Sequence, residues 1–401
     1  MSATLDAYAA FRSRDFRLLL TGTFLTNFGL QMLSVAVSWD LYMQTHSAMV
    51  LGNVGFVQVA PFLLFALFAG HFADRYDRRR VMLATQILLL AGSVLLVFSA
   101  RSVALIYTCL FLIQMARALQ GPARMAMLPQ LVPMEALSNA IAWHTSAFEI
   151  ASVTGPALAG IVVAAMSSRA VYQMQVGCAV LTLACVWMLR YRGEGRPSDT
   201  PVEGRSLLEG LRFVWRNKLV LPAISLDLFA VLFGGATALL PIFAVDILHS
   251  GARGLGWLRA ASSVGAILMA FGQAHAGPMR RSGLVLLWSV AGFGAATVVF
   301  GFSRSMWLSM AMLMTLGALD NVSVVLRQSL VQKKTPDAVR GRVLAVNSIF
   351  ISCSNQLGAV ESGWTAAWFG AVPSVVGGGI ATVLIVAAFA IRSRELREWR
   401  E

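Results

Sequence analysis

Three carboxylates interrupt long apolar runs: Glu149, set between Phe148 and Ile150, Asp227 and Asp320. An ionised Asp at the centre of a helix in hydrocarbon costs roughly 2.5–3.5 kcal/mol on insertion scales, so an acid placed there is expected to have a use. The chemistry open to it is proton carriage, because a carboxyl shielded from water can exist both neutral and charged near pH 7. Glu149 is the first choice for that task. It is twelfth in its run, close to mid-depth, and His144, five residues away, is its nearest titratable neighbour along the chain. Asp227 is the second choice. For Asp320 an equal reading is a structural ion pair with Arg117 or Arg327. Asp40, Asp246 and Glu361 sit nearer the ends of their runs and are read as facing water. Arg117 itself, near the inner end of its run and followed by Gln120 and Gly121, either snorkels to an aqueous surface or joins a charge network. The uncharged polar residues inside the runs are Asn27, Gln31, Gln58, Gln114, Asn347, Asn355 and Gln356. Each is a candidate to line a cavity or to bond between helices.

These residues need helices to hold them. Hydrophobic residues make up 57% of the 401-residue chain and charged residues 13%, about half the charge of a soluble domain. Twelve apolar runs start near Phe16, Met49, Val81, Val103, Ser138, Ala170, Leu219, Leu255, Leu284, Ser305, Arg342 and Val372. Runs of this length cross a ~30 Å hydrocarbon core. The most heavily charged gap, residues 70–80 (GHFADRYDRRR), lies between the second and third runs. With both termini on the cytoplasmic side, cytoplasmic gaps carry 27 Lys and Arg and the opposite gaps five, which orients the chain N-in and C-in. The net charge of +13 therefore reflects membrane topology, not nucleic-acid binding.

Residues 190–218 form the longest polar gap and read as a cytoplasmic linker. Within it, residues 206–218 form a surface helix with Leu207, Leu211 and Val214 on one side and Glu209, Arg212 and Arg216 on the other. The linker separates an N-terminal six-helix bundle (1–189) from a C-terminal bundle with a short basic tail (219–401). The halves repeat. A shift of 203 pairs Arg124 with Arg327, Pro133 with Pro336, Ala142 with Ala345, Gly155 with Gly358 and Gly160 with Gly363, and sets Asp320 opposite Arg117. Parallel half-repeats of six helices suit a secondary transporter with a substrate site near mid-membrane. The four cysteines and five histidines show no metal-ligand spacing, and no phosphate-binding loop or nucleophile elbow is present. No cofactor or metal is expected.

Several stretches resemble the major facilitator superfamily. Gly70, Asp74, Arg75, Arg78 and Arg79 match the superfamily's loop pattern G-x-x-x-D-R-x-G-R-R, with Asp77 where Gly is common. Arg117, Gln120 and Gly121 match R-x-x-Q-G of its fourth helix. Gly155, Pro156 and Gly160 match G-P-x-x-G-G of its antiporters, with Ala159 at the first terminal Gly and Ala142 and Ala151 at the upstream glycines. The stretches expected to form loops after the fourth and tenth runs, Pro122 to Leu137 and Gln328 to Gly341, lie in PARMAMLPQLVPMEALSNAIA and RQSLVQKKTPDAVRGRVLAVNS, which resemble a bacterial exporter branch that includes the enterobactin exporter and macrolide efflux proteins. The resemblance implies an all-α membrane protein of twelve helices in two bundles, in the bacterial inner membrane. It implies a monomeric, proton-coupled exporter of an amphipathic small molecule such as a siderophore or drug, and no enzyme. Its partners would be that substrate, protons and the lipid bilayer. In this family Asp74 faces the start of the eleventh span, here near residues 340–342, and closes the cytoplasmic side. A lipid or lysophospholipid mover, or a scaffold or sensor without turnover, is the alternative.

Overall fold

The structure, a computed structural model, describes residues 8–99, 102–191, 204–276 and 281–399; the side chains at 66–74, 204–208, 276, 337–338 and 345 lie outside the described ones. Among the described residues the regular structure is helical throughout, and twelve helical spans are long and apolar enough to cross a membrane. The physical reason is local. Hydrocarbon offers no water to backbone N–H and C=O groups, so an apolar run must satisfy them within itself.

The first half of the chain runs α1 (Arg14–Thr45), α2 (Ala48–Arg75), α3 (Arg78–Phe98), α4 (Val103–Leu131), α5 (Leu137–Ala165) and α6 (Ser168–Trp187). The second half runs α7 (Gly204–Arg216), α8 (Val220–Phe233), α9 (Leu240–Ile242), α10 (Gly251–Ala276), α11 (Ser282–Phe302), α12 (Met306–Lys334), α13 (Asp337–Phe369), α14 (Ala371–Arg392) and α15 (Arg394–Glu398). Short polar residues start several helices. Asp77 accepts from the Arg80 amide at 3.1 Å, and Ser102 and Ser167 cap α4 and α6 in the same way. Trp187, Trp307 and Trp368 are exposed at helix ends, as expected where lipid meets water.

Three details depart from the sequence reading. The stretch after Gly121 was expected to be a loop, yet α4 continues through Pro122 and Pro129 to Leu131. Likewise α12 runs on to Lys334. At 1.5 Å per residue a 29-residue helix is about 43 Å long, so its end can stand in water beyond the hydrocarbon and tolerate polar residues. In consequence Arg117 is fifteenth of 29 residues, at mid-helix instead of near the end. The seventh span is not one helix. It breaks at Gly234 and Gly235 after α8 and resumes through a 3₁₀ turn, α9 and a π turn (Phe243–Ile247). A Cβ on Gly235 would meet the Gly358 carbonyl of α13 at 2.6 Å, so close backbone approach explains the glycine.

The chain divides into two compact units, one comprising Met1–Val37 and Ala60–Pro201, the other Ser38–Val59 and Val202–Glu401. In the first, α3 packs against α4 and α6, and Phe16, Leu19, Met82, Met127, Leu131 and Leu189 share a core. Gly155 of α5 lets α1 approach: its Cβ would stand 2.8 Å from that of Gln31 and 3.0 Å from the Phe28 carbonyl. In the second unit α10 packs along α12 and α11 along α14. Gly265 and Gly317 are each pressed onto backbone of the facing helix, at Met314 and Ser262 respectively. In the linker helix, α7, the described part of the expected apolar side meets protein: Leu211 packs against, and Val214 is buried with, Val220, Val331 and Val343, and Gly210 lies against Arg342, while the side chain of Leu207 lies outside the described ones. Residues from the ends of α1 and α2 belong to this unit, where Gly52 meets Gly363 and the Trp364 indole donates to Asn53 at 3.0 Å.

The α10–α12 contact yields a direct test. A side chain at Gly317 has only main chain to displace, so Gly317→Leu should cost about 1–3 kcal/mol or more. Thermal unfolding of detergent-purified protein should show that loss. Gly121→Ala, where a Cβ has nothing within 4 Å, should leave the midpoint unchanged or slightly raised.

Candidate functional site

In the second unit, α8 carries Asp227 as its eighth residue, facing α12. There Asp227 forms an ion pair with Arg327. Both are buried, Arg327 to 1% exposure and Asp227 to 6%. Two charges taken out of water survive there because each neutralises the other. Asp320 and Ser323 precede Arg327 by seven and four residues on α12, so all three share one helix face. Asp227, Ala230, Ser289, Phe293, Asp320 and Ser323 line one narrow cleft. The arginine that sequence offered to Asp320 is thus taken by Asp227, and Asp320 is half-buried with no ion pair among the described residues.

In the first unit, Glu149 stands alone. It is half-buried on α5 between exposed Phe148 and Ile150, without a hydrogen bond or ion pair among the described residues. Arg117 is exposed and donates to Gln114 at 3.2 Å. Gln120 is buried and tied into a relay: it donates to Gln86 of α3 at 3.2 Å, which donates to the Ala179 carbonyl of α6 at 3.1 Å. Its work is holding three helices together. Pro156 and Gly160 are buried in α5, and Gln31 donates to Ser152 at 3.0 Å across the α1–α5 contact that Gly155 permits.

The remaining polar candidates divide by burial. Asn27 is buried and donates to the Thr23 carbonyl of its own helix at 3.0 Å, so it faces no open space. Asn355 is exposed and donates to the Ile351 carbonyl at 2.8 Å. Asn347 is buried with its Oδ1 lacking a partner among the described residues. Gln58 is half-buried, and the Gln356 carbonyl backs onto Gly55.

The charged loop divides between α2 and α3. Gly70 and Asp74 lie in α2, but the side chain of Asp74, and with it the contact expected of that carboxylate, falls outside the described ones. Arg75 ends α2. Arg78 donates to the Ala126 carbonyl of α4 at 3.0 Å, and Arg79 donates to the Val186 and Trp187 carbonyls at the end of α6. Cations there meet the partial negative charge of a helix C-terminus. Asp246 is exposed and also accepts a hydrogen bond from Tyr42 in the same unit. That pair joins residues 204 apart, and no local pattern signals it.

The sequence pattern of transmembrane secretion effectors matches residues 5–401. The chain belongs to that family, a branch of the major facilitator superfamily. Among the relatives of this secretion effector are enterobactin exporters EntS of Citrobacter koseri and Escherichia coli, each 26% identical over 391 residues, 96% of this chain and 93% of theirs. Solved structures with the same fold include a bacterial homologue of the human lysosomal transporter Spinster (TM-score 0.76, 13% identity, covering 100% of this chain and 99% of that one). Another is a POT family transporter in complex with 5-aminolevulinic acid (TM-score 0.76, 11% identity, covering 96% and 97%). This secretion effector is a multi-pass membrane transporter and not an enzyme.

Its buried ion pair makes an energetic claim that can be checked. Asp227→Ala leaves the Arg327 charge buried and uncompensated, which should cost about 3–5 kcal/mol. Replacing both, as Asp227→Leu with Arg327→Met, removes the stranded charge and should restore most of the stability. Thermal unfolding of the three proteins measures both effects.

Proposed function

We propose that this secretion effector is a proton-driven exporter of an amphipathic small molecule, of the siderophore or drug class, acting as a monomer in the bacterial inner membrane with both termini cytoplasmic. The observation that carries the proton coupling is Glu149: a carboxyl in the middle of a membrane helix with no cation held against it among the described residues. A carboxylate already neutralised by an arginine, like Asp227, gains little from a proton. An unpaired one exchanges a costly charge for a neutral group each time it is protonated. Gradient-driven turnover needs that difference. The names of the relatives, enterobactin exporters, support the outward direction and the substrate class. Asp320, beside the Asp227–Arg327 pair, is the next acid able to exchange protons, and Arg117 with Gln114 lies on the fourth helix where charge coupling is expected.

Transport in vesicles with an imposed pH gradient tests the coupling. Glu149→Gln imitates the permanently protonated state and should abolish uphill accumulation while substrate exchange continues. Full uphill transport by this variant would move the coupling site elsewhere. The same substitution at Asp227 should act mainly by lowering stability. Asp74 adds a separate expectation. As a carboxylate at the N-terminus of another helix it would gain about 0.3–1 kcal/mol from the dipole. Asp74→Asn should therefore shift the conformational population toward the inward-facing state without loss of folding. Cysteine accessibility from the two sides reads this out, and unchanged labelling together with normal transport would refute it.

A further inference from the structure

Arg124 and Arg327 are matched by the 203-residue repeat, and the structure sharpens that match. α4 and α12 begin and end at positions 203 apart, so each arginine is the twenty-second residue of a 29-residue helix. Their surroundings differ: the repeat holds Asp320 and Asn347 where the first half has Arg117 and His144. Arg327 has Asp227, whereas the residue 203 before Asp227 is Phe24. The first unit lacks the acid that the second supplies.

Nothing among the described residues replaces it. The Nε of Arg124 is buried without a hydrogen-bond partner, and so is Nε2 of His144 on α5. Arg124 lies within electrostatic reach of both His144 and Arg117. Arg117, Gly121 and Arg124 fall at intervals of four and three residues, along one stripe of α4. Between the two arginines that stripe is open: a Cβ on Gly121 would find nothing within 4 Å. Arg124 and His144, half-buried with nitrogens unpartnered and no acid against them among the described residues, and with space beside Gly121, call for an anion.

We infer that Arg124, His144 and Arg117 form a binding site for an oxyanion, the carboxylate, sulfonate or phosphate group of the molecule that is transported. A planar guanidinium offers paired donors to two oxygens of such a group, and an imidazole N–H can supply a third. The ligand takes the place that Asp227 fills in the second unit. That the anion is cargo rests on the exporter reading; that the site binds an anion does not, and the two are tested separately.

The test is direct binding to the full-length protein in phosphatidylcholine nanodiscs, titrated calorimetrically with naphthalene-2-sulfonate and with the uncharged naphthalene-2-sulfonamide. The sulfonate should bind and the sulfonamide should bind at least about tenfold more weakly. Arg124→Gln should weaken the sulfonate by about tenfold or more and leave the sulfonamide unchanged, while Arg124→Lys retains part of the affinity. If Arg124→Gln does not purify as a folded protein, His144→Gln must show a loss of the same kind. Nanodiscs containing phosphatidylglycerol separate the sources of the anion. A lipid phosphate in the site would compete with the sulfonate in the unsubstituted protein, and a soluble ligand would bind equally in both membranes. Either result supports the site. Equal affinity for sulfonate and sulfonamide, or unaltered sulfonate binding by both the Arg124 and His144 variants, overturns it. Failure of pH-driven export in vesicles with sulfonate binding intact would overturn the exporter reading alone.

Discussion

A charge in hydrocarbon must be neutralised by something within reach, and the interior of this protein is arranged around that requirement. Asp227 and Arg327 meet it directly, each cancelling a cost of several kcal/mol that the other would bear alone. Polar side chains meet the lesser version of the same demand. Thr85, Ser93, Ser289, Thr297 and Thr382 donate to carbonyls of their own helices, and Gln86 and Gln120 link three helices through one another. Against that background Glu149 and the Arg124–His144 cluster stand out as charged or ionisable groups with no ion pair among the described residues.

With lipid tails as apolar as leucine, no hydrophobic force draws these helices together, and contact area must do so instead. Glycine at Gly155, Gly265 and Gly317 brings backbones close enough for dense packing. At Gly235 the same closeness accompanies a break in the seventh span. Backbone groups freed by such a break stay satisfied only where protein surrounds them. The packing of Leu239, Leu240, Pro241 and Phe243, all buried, provides those surroundings.

The two halves show how one helical plan can serve two purposes. α4 and α12 have the same length and place an arginine at the same register. In the second unit that arginine is closed off by an acid of the same chain and becomes part of the framework. In the first it is half-buried with no acid paired to it among the described residues. Phe24 where the repeat holds Asp227, together with Arg117 and His144 where it holds Asp320 and Asn347, separates the structural ion pair from the proposed binding group.

Much of the fold was legible in the sequence because helix formation in a membrane is a local matter. An apolar run has no other way to satisfy its backbone, so twelve runs became twelve spans, and the interval between Arg124 and Arg327 survived as a structural register. Individual polar sites were partly legible for the same reason: an acid such as Glu149 among apolar residues is visible without knowing its neighbours. Partnership was not. Asp227, not Asp320, took Arg327, and Asp246 found Tyr42 204 residues away, because pairing depends on which faces of packed helices meet. Helix ends were also decided by the tertiary structure. α4 runs past Gly121 through two prolines because residues such as Ala123, Met127, Leu128 and Leu131 are buried against neighbouring elements, a gain that a local reading of polar and breaker residues does not contain. Composition and spacing thus determined which segments are helical and which charges are anomalous; packing alone decided which of those charges are answered.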